Sequence, residues 1–342
     1  MTAASGLVIV DKPGGMTSHD VVARIRRLAH TRRVGHAGTL DPMATGVLVV
    51  GIEKATRLLG HLTLTEKTYE ATIRLGQSTT TDDAEGEAAG GSPAAGVVSG
   101  AALNAEIARL TGDILQVPSS VSAIKVNGQR AYKLTRAGEA PDLAARPVTI
   151  HEFTILGLRR DGDFLDIDAR IRCSSGTYIR AIARDLGAAL DTGGHLTALR
   201  RTAVGPYTLN HAYTLEELED QDQNGPERPR LTPARHPGSQ FPPAPAAPRS
   251  AAGLWVTPLA EAAAAAFPRL DLTADEARRL AQGARLPLPP HPPAGPADPG
   301  DTGTNDWPSP GDPVAAFDPD GTLVALVTAD SGRLRSLAVF TA

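Results

Sequence analysis

The sequence predicts an α+β protein, with a mixed-sheet domain over residues 1–214 and a small β-rich module over 253–342. Three observations carry this reading. In the first 214 residues, strand and helix patterns interleave without the regular spacing of βαβ units. Composition then changes, and 225–250 is crowded with Pro, Arg and Ala that bury no core, as in a linker or surface insertion. Near the C-terminus, Asp318-Pro-Asp-Gly321 joins two apolar runs as a hairpin turn. A length of 342 residues suits two domains.

The elements follow in order. Residues 6–10, GLVIV, form a β-branched strand closed by the turn Asp11-Lys-Pro-Gly-Gly15. From Ser18 a helix aligns Val21, Val22, Ile25, Leu28 and Ala29 on one face, with Arg24, Arg26 and Arg27 largely opposite. Residues 46–52 read as a buried strand. Residues 68–75 alternate, with Tyr69, Ala71, Ile73 and Leu75 on one side. Small, acidic and Gly-rich residues over 78–100 predict a mobile excursion, and 103–110 a helix. Residues 164–173 alternate again through Leu165, Ile167, Ala169 and Ile171, before a helix over 178–190. The segment 215–252 is read as a Pro- and acid-rich linker or insertion. In the tail, Thr273-Ala-Asp-Glu276 is a capping box opening a helix that ends near Gly283. A Pro-rich insertion spans 287–313, and strands are expected at 314–317, 323–327 and 334–340. No repeat of 20–50 residues is present.

Composition is ordinary for a globular protein: 41% apolar, 21% charged, and a net charge of −4 that by itself argues against a nucleic-acid partner. The charge is segregated, however. Residues 1–60 carry eight Lys/Arg against four Asp/Glu, and 124–160 carry seven against three, a distribution compatible with a basic face meeting a polyanion. Cys173 is the only cysteine, which excludes an intrachain disulfide and a thiolate-rich zinc site. The first residues lack the charged and apolar regions of a secretory signal, and no window matches a transmembrane helix. Cytoplasm is therefore the expected location.

The stretch RRVGHAGTLDPMATGVLVV (residues 32–50) contains one acid, Asp41, at the edge of an apolar run. Glycines and small residues before it allow another backbone to approach, and Pro42 restricts Asp41 to extended conformations. A carboxylate so held is a candidate nucleophile or base, while an isolated Leu-Asp-Pro is more often a plain turn. Other chemistries lack their motifs. There is no phosphate-loop or dinucleotide glycine pattern. Cys173-Ser-Ser-Gly-Thr-Tyr178 lacks the leading glycine of a nucleophile elbow. His19, His30 and His36 do not have the spacing of metal ligands.

Five segments, GLVIVDKPGGMTSHD, GHAGTLDPMATGVLVV, KTYEATIRLGQSTTTDD, VPSSVSAIKVNGQRAYKLTRAG and CSSGTYIRAIARDLG, occur in order between about residues 6 and 214. Together they resemble the bacterial tRNA pseudouridine-55 synthase family, TruB. The tail resembles that family's small PUA-like RNA-binding domain only loosely. The resemblance implies a pseudouridine synthase catalytic domain over 1–214, including a thumb-like loop at about 118–148. It implies a stand-alone, monomeric enzyme that isomerises uridine 55 in the T loop of tRNA, with neither metal nor cofactor and no protein partner or membrane.

By the same resemblance Asp41 is the catalytic carboxylate. Tyr69 stacks on the target base and is a candidate base, and Arg180 pairs with the acid, favouring its charged form. Tyr178 and Leu199 line the uracil pocket, and His36 enters the T loop. Lys12, Lys125, Arg130, Lys133 and Arg136 contact phosphates, the last four on the thumb. Read alone, Tyr69 is better taken as a strand-core aromatic, Arg180 as a helix-surface arginine, and each basic residue as an ordinary solvated one. Two alternatives remain: the same chemistry on another RNA, including guide-directed modification, and a tRNA-binding or folding factor without turnover.

Overall fold

The computed structural model describes residues 5–121, 125–126, 129–130, 143–224, 254–291, 293 and 307–341. Its first part is built from β1 (Gly6–Lys12), α1 (Ser18–Leu28), β2 (Val34–Ala37), β3 (Thr45–Ile52), β4 (Lys67–Leu75), α2 (Gly100–Arg109), β5 (Gly112–Gln116), β6 (Arg146–Asp161), β7 (Phe164–Cys173), α3 (Ile179–Ala189), β8 (Gly194–Val204) and α4 (Leu215–Asn224). The second part holds β9 (Thr257–Pro258), α5 (Leu259–Ala266), β10 (Arg269–Asp271), α6 (Ala274–Ala281), β11 (Leu286–Pro287), β12 (Val314–Phe317), β13 (Leu323–Asp330) and β14 (Arg333–Val339).

Ten strands among the described residues make the main sheet, in the order β9-β1-β3-β8-β4-β7-β6-β5, with β2 on β3 and the short strand Tyr207–Thr208 on β8. The sheet is mixed: β3 and β8 run parallel at Arg200–Thr45 and Arg201–Gly46, while the other pairs are antiparallel. A second sheet of five strands has the order β10-β12-β13-β14-β11. This is the expected α+β architecture with a C-terminal β-rich unit.

The faces follow the predicted patterns. Tyr69, Ala71, Ile73 and Leu75 of β4 and Leu165, Ile167, Ala169 and Ile171 of β7 share one core with Ile182 and Leu186 of α3. In contrast, β1 and β3 are apolar on both sides because both sides are covered. Val8, Val10, Leu48 and Val50 meet Val21 and Ile25 of α1 and Leu215 and Leu218 of α4. Leu7, Ile9, Val47 and Val49 meet Ala263 of α5 and Phe317 and Leu326 of the second sheet. Burying one such Leu or Ile contributes about 1.5–3 kcal/mol, so this shared cluster holds the two sheets together.

Two expectations differ from the structure. The stretch read as a linker from residue 215 begins instead as α4, whose start is capped reciprocally by Thr214 and Glu217 and whose Leu215 and Leu218 are buried. Beyond it, 225–253 lies outside the described residues, and β9, just past that gap, pairs with β1 in the main sheet. The excursion at 78–100 is tied down: Leu196 N–H donates to the Asp82 carbonyl at 3.0 Å, and Asp83 and Ala95 are buried. Most of the 287–313 tract also lies outside the described residues, although Trp307 Nε1 donates to the Pro289 carbonyl at 3.2 Å. The Asp318 turn forms as read, its carboxylate accepting from the backbones of Asp320 and Thr322.

Candidate active site

Asp41 sits in the loop between β2 and β3, and the chain holds this loop from several sides. Ser18, the first residue of α1, is buried; its Oγ donates to the Leu40 carbonyl at 3.1 Å and accepts from the Leu40 N–H at 2.9 Å. The Pro42 carbonyl accepts from Gly15 N–H at 2.9 Å, and Asp41 O closes a turn by accepting from Ala44 N–H at 3.1 Å. A side chain flanked by so many backbone bonds has its direction set before any substrate arrives.

Arg180, in the first turn of α3, reaches this loop. Its Nε donates to Asp41 Oδ2 at 3.0 Å and its Nη2 to Oδ1 at 3.2 Å, a two-point pairing of guanidinium and carboxylate. The other N–H groups bind the Thr81 carbonyl at 2.9 Å and the Val121 carbonyl at 2.8 Å. The arginine side chain is 4% exposed and that of Asp41 35%, so the acid faces solvent while its partner is dry. A second acid joins them. Asp83 Oδ2 lies 3.5 Å from Arg180 Nε, and its side chain is also 4% exposed. Glu85, on the same loop, is pushed above its ordinary pKa by burial and by the charges of Asp83 and Asp41. Arg180 is therefore the cation of a carboxylate cluster. Asp83 was not among the expected site residues, falling within the acidic excursion read over 78–100; only the fold carries that loop to α3.

The floor beside Asp41 is apolar. Leu40, Ala44, Tyr69 and Leu199 pack in one cluster, with Met43 against it. Tyr69 is buried, and that burial pushes its phenol above the ordinary pKa, against an opposite pull from Arg201. At neutral pH the hydroxyl thus carries its proton. Tyr178 is the N-cap residue of α3, and Gln116 clasps its backbone, accepting from its N–H at 2.8 Å and donating to its carbonyl at 3.1 Å. His36 lies on β2 with its ring edge-to-face with that of His19, centroids 5.5 Å apart. Burial foremost, then His19 and Arg201, push the His36 imidazole below its ordinary pKa, favouring the neutral ring.

Lys12, expected as a phosphate contact, is inside the protein. It is fully buried, and its Nζ donates to the carbonyls of Pro13 at 2.8 Å, Met16 at 2.6 Å and Pro42 at 3.1 Å. All three donors are committed, so the residue ties β1 to the Asp41 loop and has none left for RNA. Other cations of the first 60 residues are engaged too. Arg24 and Arg27 pair with Glu219, Arg33 with Glu53, and Lys54 and Arg57 donate to the Phe340 and Val339 carbonyls. Lys125 and Arg130 fall on two short paired strands, Lys125–Val126 and Gln129–Arg130, with side chains outside the described set; Lys133 and Arg136 lie wholly outside it.

The architecture and this site define a class, the pseudouridine synthase fold. Its likeness extends to a chain of an H/ACA ribonucleoprotein bound to a substrate RNA containing 2'-deoxyuridine (TM-score 0.65, 24% identity, covering 98% of this chain and 85% of that one). A chain of an archaeal box H/ACA Nop10-Cbf5 complex matches with a TM-score of 0.65 and 25% identity, covering 99% of this chain and 86% of that one. Within that class the chain belongs to the TruB family of pseudouridylate synthases, enzymes that form pseudouridine. The model of the TruB N-terminal domain matches residues 26–179, that of the tRNA pseudouridylate synthase B C-terminal domain 180–234, and that of the tRNA pseudouridine synthase II C-terminus 308–341. A protein of Thermobifida fusca named tRNA pseudouridine synthase B is 55% identical over 341 residues, 98% of this chain and 99% of the relative. A protein of the same name from Arthrobacter sp. is 53% identical over 338 residues, covering 98% and 96%.

Proposed function

We propose that this chain isomerises uridine 55 in the T loop of tRNA, acting alone and as a monomer in the cytoplasm. The observation that carries the reading is the Asp41 carboxylate, held by two bonds from a dry guanidinium beside an apolar floor. The tRNA substrate rests on the names of relatives that match nearly the whole chain, and the T-loop position on the sequence motifs. No described helix is long and apolar enough to cross a membrane. We also propose the division into a catalytic domain, read from the sequence as 1–214 and extended here through α4, and an RNA-binding PUA-like domain within 253–342.

In this reading the uridine is flipped out of the loop and laid over Tyr69 and Leu199, with Tyr178 at the edge and His36 filling the space left behind. The C1′–N1 bond breaks either as Asp41 attacks C1′ to form an ester, or as uracil departs while the C2′ proton is taken by Asp41 to leave a glycal. The freed base turns and C5 bonds to C1′, breaking the Asp41–C1′ bond in the first route or with the proton returned to C2′ in the second. The C5 proton then leaves and N1 gains one. Nothing is oxidised or reduced. Arg180 holds the carboxylate in its reactive direction, and the buried cluster keeps water from the intermediate. The test is to map modified uridines in a T-arm RNA exposed to purified protein alone. Pseudouridine at position 55 supports the reading. Tight RNA binding without product would favour the folding factor, and dependence on a guide RNA would favour the guided alternative.

Two further results are expected. Tyr69→Leu should lower turnover by on the order of a hundredfold or more, because the aromatic face and hydroxyl are both lost, whereas Tyr69→Phe should retain RNA docking through its ring, as base–aromatic stacking contributes about 1–3 kcal/mol. Single-turnover rates and RNA affinity check this, and a fully active Tyr69→Leu protein would make the residue a core aromatic alone.

If Lys125, Arg130, Lys133 and Arg136 contact four phosphates, RNA affinity should fall on the order of a hundredfold from 50 to 200 mM salt. Lys12→Met should leave that salt slope unchanged, since its donors face carbonyls. A flatter slope in Lys12→Met would return the residue to the RNA.

A further inference from the structure

The buried positive charge of Arg201, like those of Lys12 and Lys67, has no ion-pair partner among the described residues. Arg201, in β8, is 1% exposed. Its Nε donates to the Val47 carbonyl at 2.7 Å and its Nη2 to the Gly38 carbonyl at 3.0 Å. Gly38 opens the loop that carries Asp41, and Val47 lies in β3 three residues beyond Ala44, where the loop ends. An uncompensated dry guanidinium is costly to bury, and an apolar side chain would fill the same volume without that cost. A structural reason is needed for keeping the charge there.

The glycines of the motif supply one. Gly38 has φ +74°, and a Cβ there would lie 3.4 Å from Arg201 Nη1. Gly46 has φ +99°, and a Cβ there would lie 2.2 Å from the Arg201 carbonyl oxygen. At Gly38 a Cβ would only touch the guanidinium, whereas Gly46 makes room for the backbone that carries it, where β8 runs parallel to β3. Across the sheet on its other side, Arg201 is the register partner of Tyr69. Its charge also acts on Lys12, His36 and Lys67, the last with its pKa lowered to about 8, chiefly by burial.

We infer that Arg201 is a positioning residue for the reaction: its guanidinium clasps the start of the Asp41 loop and β3 beyond its end, and fixes that loop against the strand of Tyr69. The inference rests on the pseudouridine-forming reading of the site. The fork geometry matters, because Nε and Nη2 serve separate carbonyls while a lysine offers a single nitrogen. Ser18, Lys12 and Arg180 grip the middle of the loop, and Arg201 holds its start and the strand beyond it.

The test compares Arg201→Gln and Arg201→Lys with the native protein, using T-arm RNA. It measures single-turnover rate at saturating enzyme, RNA dissociation constant and thermal unfolding. Arg201→Gln is expected to slow the chemical step a hundredfold or more with RNA affinity within threefold, and Arg201→Lys to recover no more than about a tenth of the native rate. Several results would overturn the inference: a folded Arg201→Gln protein within threefold of the native rate, a fully active Arg201→Lys protein, or affinity lost in proportion to rate, which would indicate docking. If the Gln variant does not fold, Arg201→Lys decides alone. If neither folds, Arg201 holds the fold rather than the site, and the positioning role fails. An inactive native protein would sink the proposed reaction and this inference with it; an active native protein with unimpaired variants sinks only the inference.

Discussion

Asp41→Asn is expected to abolish pseudouridine formation while leaving a folded protein that still binds RNA. The amide is nearly the shape of the carboxylate, and the loop around it is held by bonds that do not involve its side chain, from Ser18, Gly15 and Lys12. Arg180 would lose one of its two acceptors at Asp41 but keep the carbonyls of Thr81 and Val121 and the carboxylate of Asp83. A stability loss of about 1–3 kcal/mol follows from leaving one charged donor unmatched. The chemistry has no such reserve. An amide cannot supply the anionic oxygen, and a fall of at least about four decades in turnover is expected, roughly 5–6 kcal/mol at about 1.4 kcal/mol per decade. Asp83→Asn is the control that isolates the role. It too removes a carboxylate from Arg180, but from the dry side, so its effect on rate should be clearly smaller. Equal losses in the two variants would mean that charge balance around Arg180, and not a reactive oxygen at Asp41, governs the rate. Substantial turnover by Asp41→Asn would overthrow the assigned chemistry outright.

How much of this site was legible beforehand depends on the distance over which each signal acts. Periodicity is local, so α1 emerges with Val21, Val22, Ile25 and Leu28 buried as read, and β4 and β7 present the expected faces. Caps are local too: the Thr273 box forms, and α3 starts at the residue after Tyr178. Lys12 is different. Nothing in its neighbours distinguishes a lysine that reaches a phosphate from one that reaches three carbonyls, one of them from the turn after Asp41. Asp83 and Arg201 are the same kind of case, since their partners lie on other strands and helices. The 78–100 segment looks mobile by composition, yet its hold on β8 comes from backbone bonds that composition does not encode. The leading acids of α4 were read as linker because the two buried leucines between them are too few to make a strong period. By sequence the glycines before Asp41 let another backbone approach, but Gly35 and Gly38 face side chains, those of Leu59 and of Arg201 and Lys67; the backbone that does come close, that of β8 at Arg201, meets Gly46, after the acid.

Arg180→Met should be the most damaging change that leaves Asp41 in place. The guanidinium now serves Asp41 at both oxygens, Asp83 at 3.5 Å, and the carbonyls of Thr81 and Val121. Removing it strands Asp83 in a dry site, where breaking a buried pair costs about 3–5 kcal/mol. The Asp41 half contributes less, because a side chain one-third exposed is partly screened by water. The unfolding midpoint should therefore fall by on the order of 10 °C. Turnover should fall by about a thousandfold or more, near 4 kcal/mol, because the carboxylate loses the partner that sets its direction while keeping its oxygens. Arg180→Lys should recover part of the stability and little of the rate: one nitrogen reaches one or two of these acceptors and cannot present the paired N–H groups. The double variant Asp41→Asn/Arg180→Met makes the decisive comparison. If Arg180 acts on the reaction through Asp41, its loss should cost almost nothing further in rate once Asp41 is gone, while the stability cost from Asp83 persists. Asp83→Asn placed on Arg180→Met should then restore stability without restoring turnover, because it removes the stranded charge but not the misdirection of Asp41. Native turnover by Arg180→Met would show instead that the carboxylate needs no partner, and the cluster would then be a device of the fold alone.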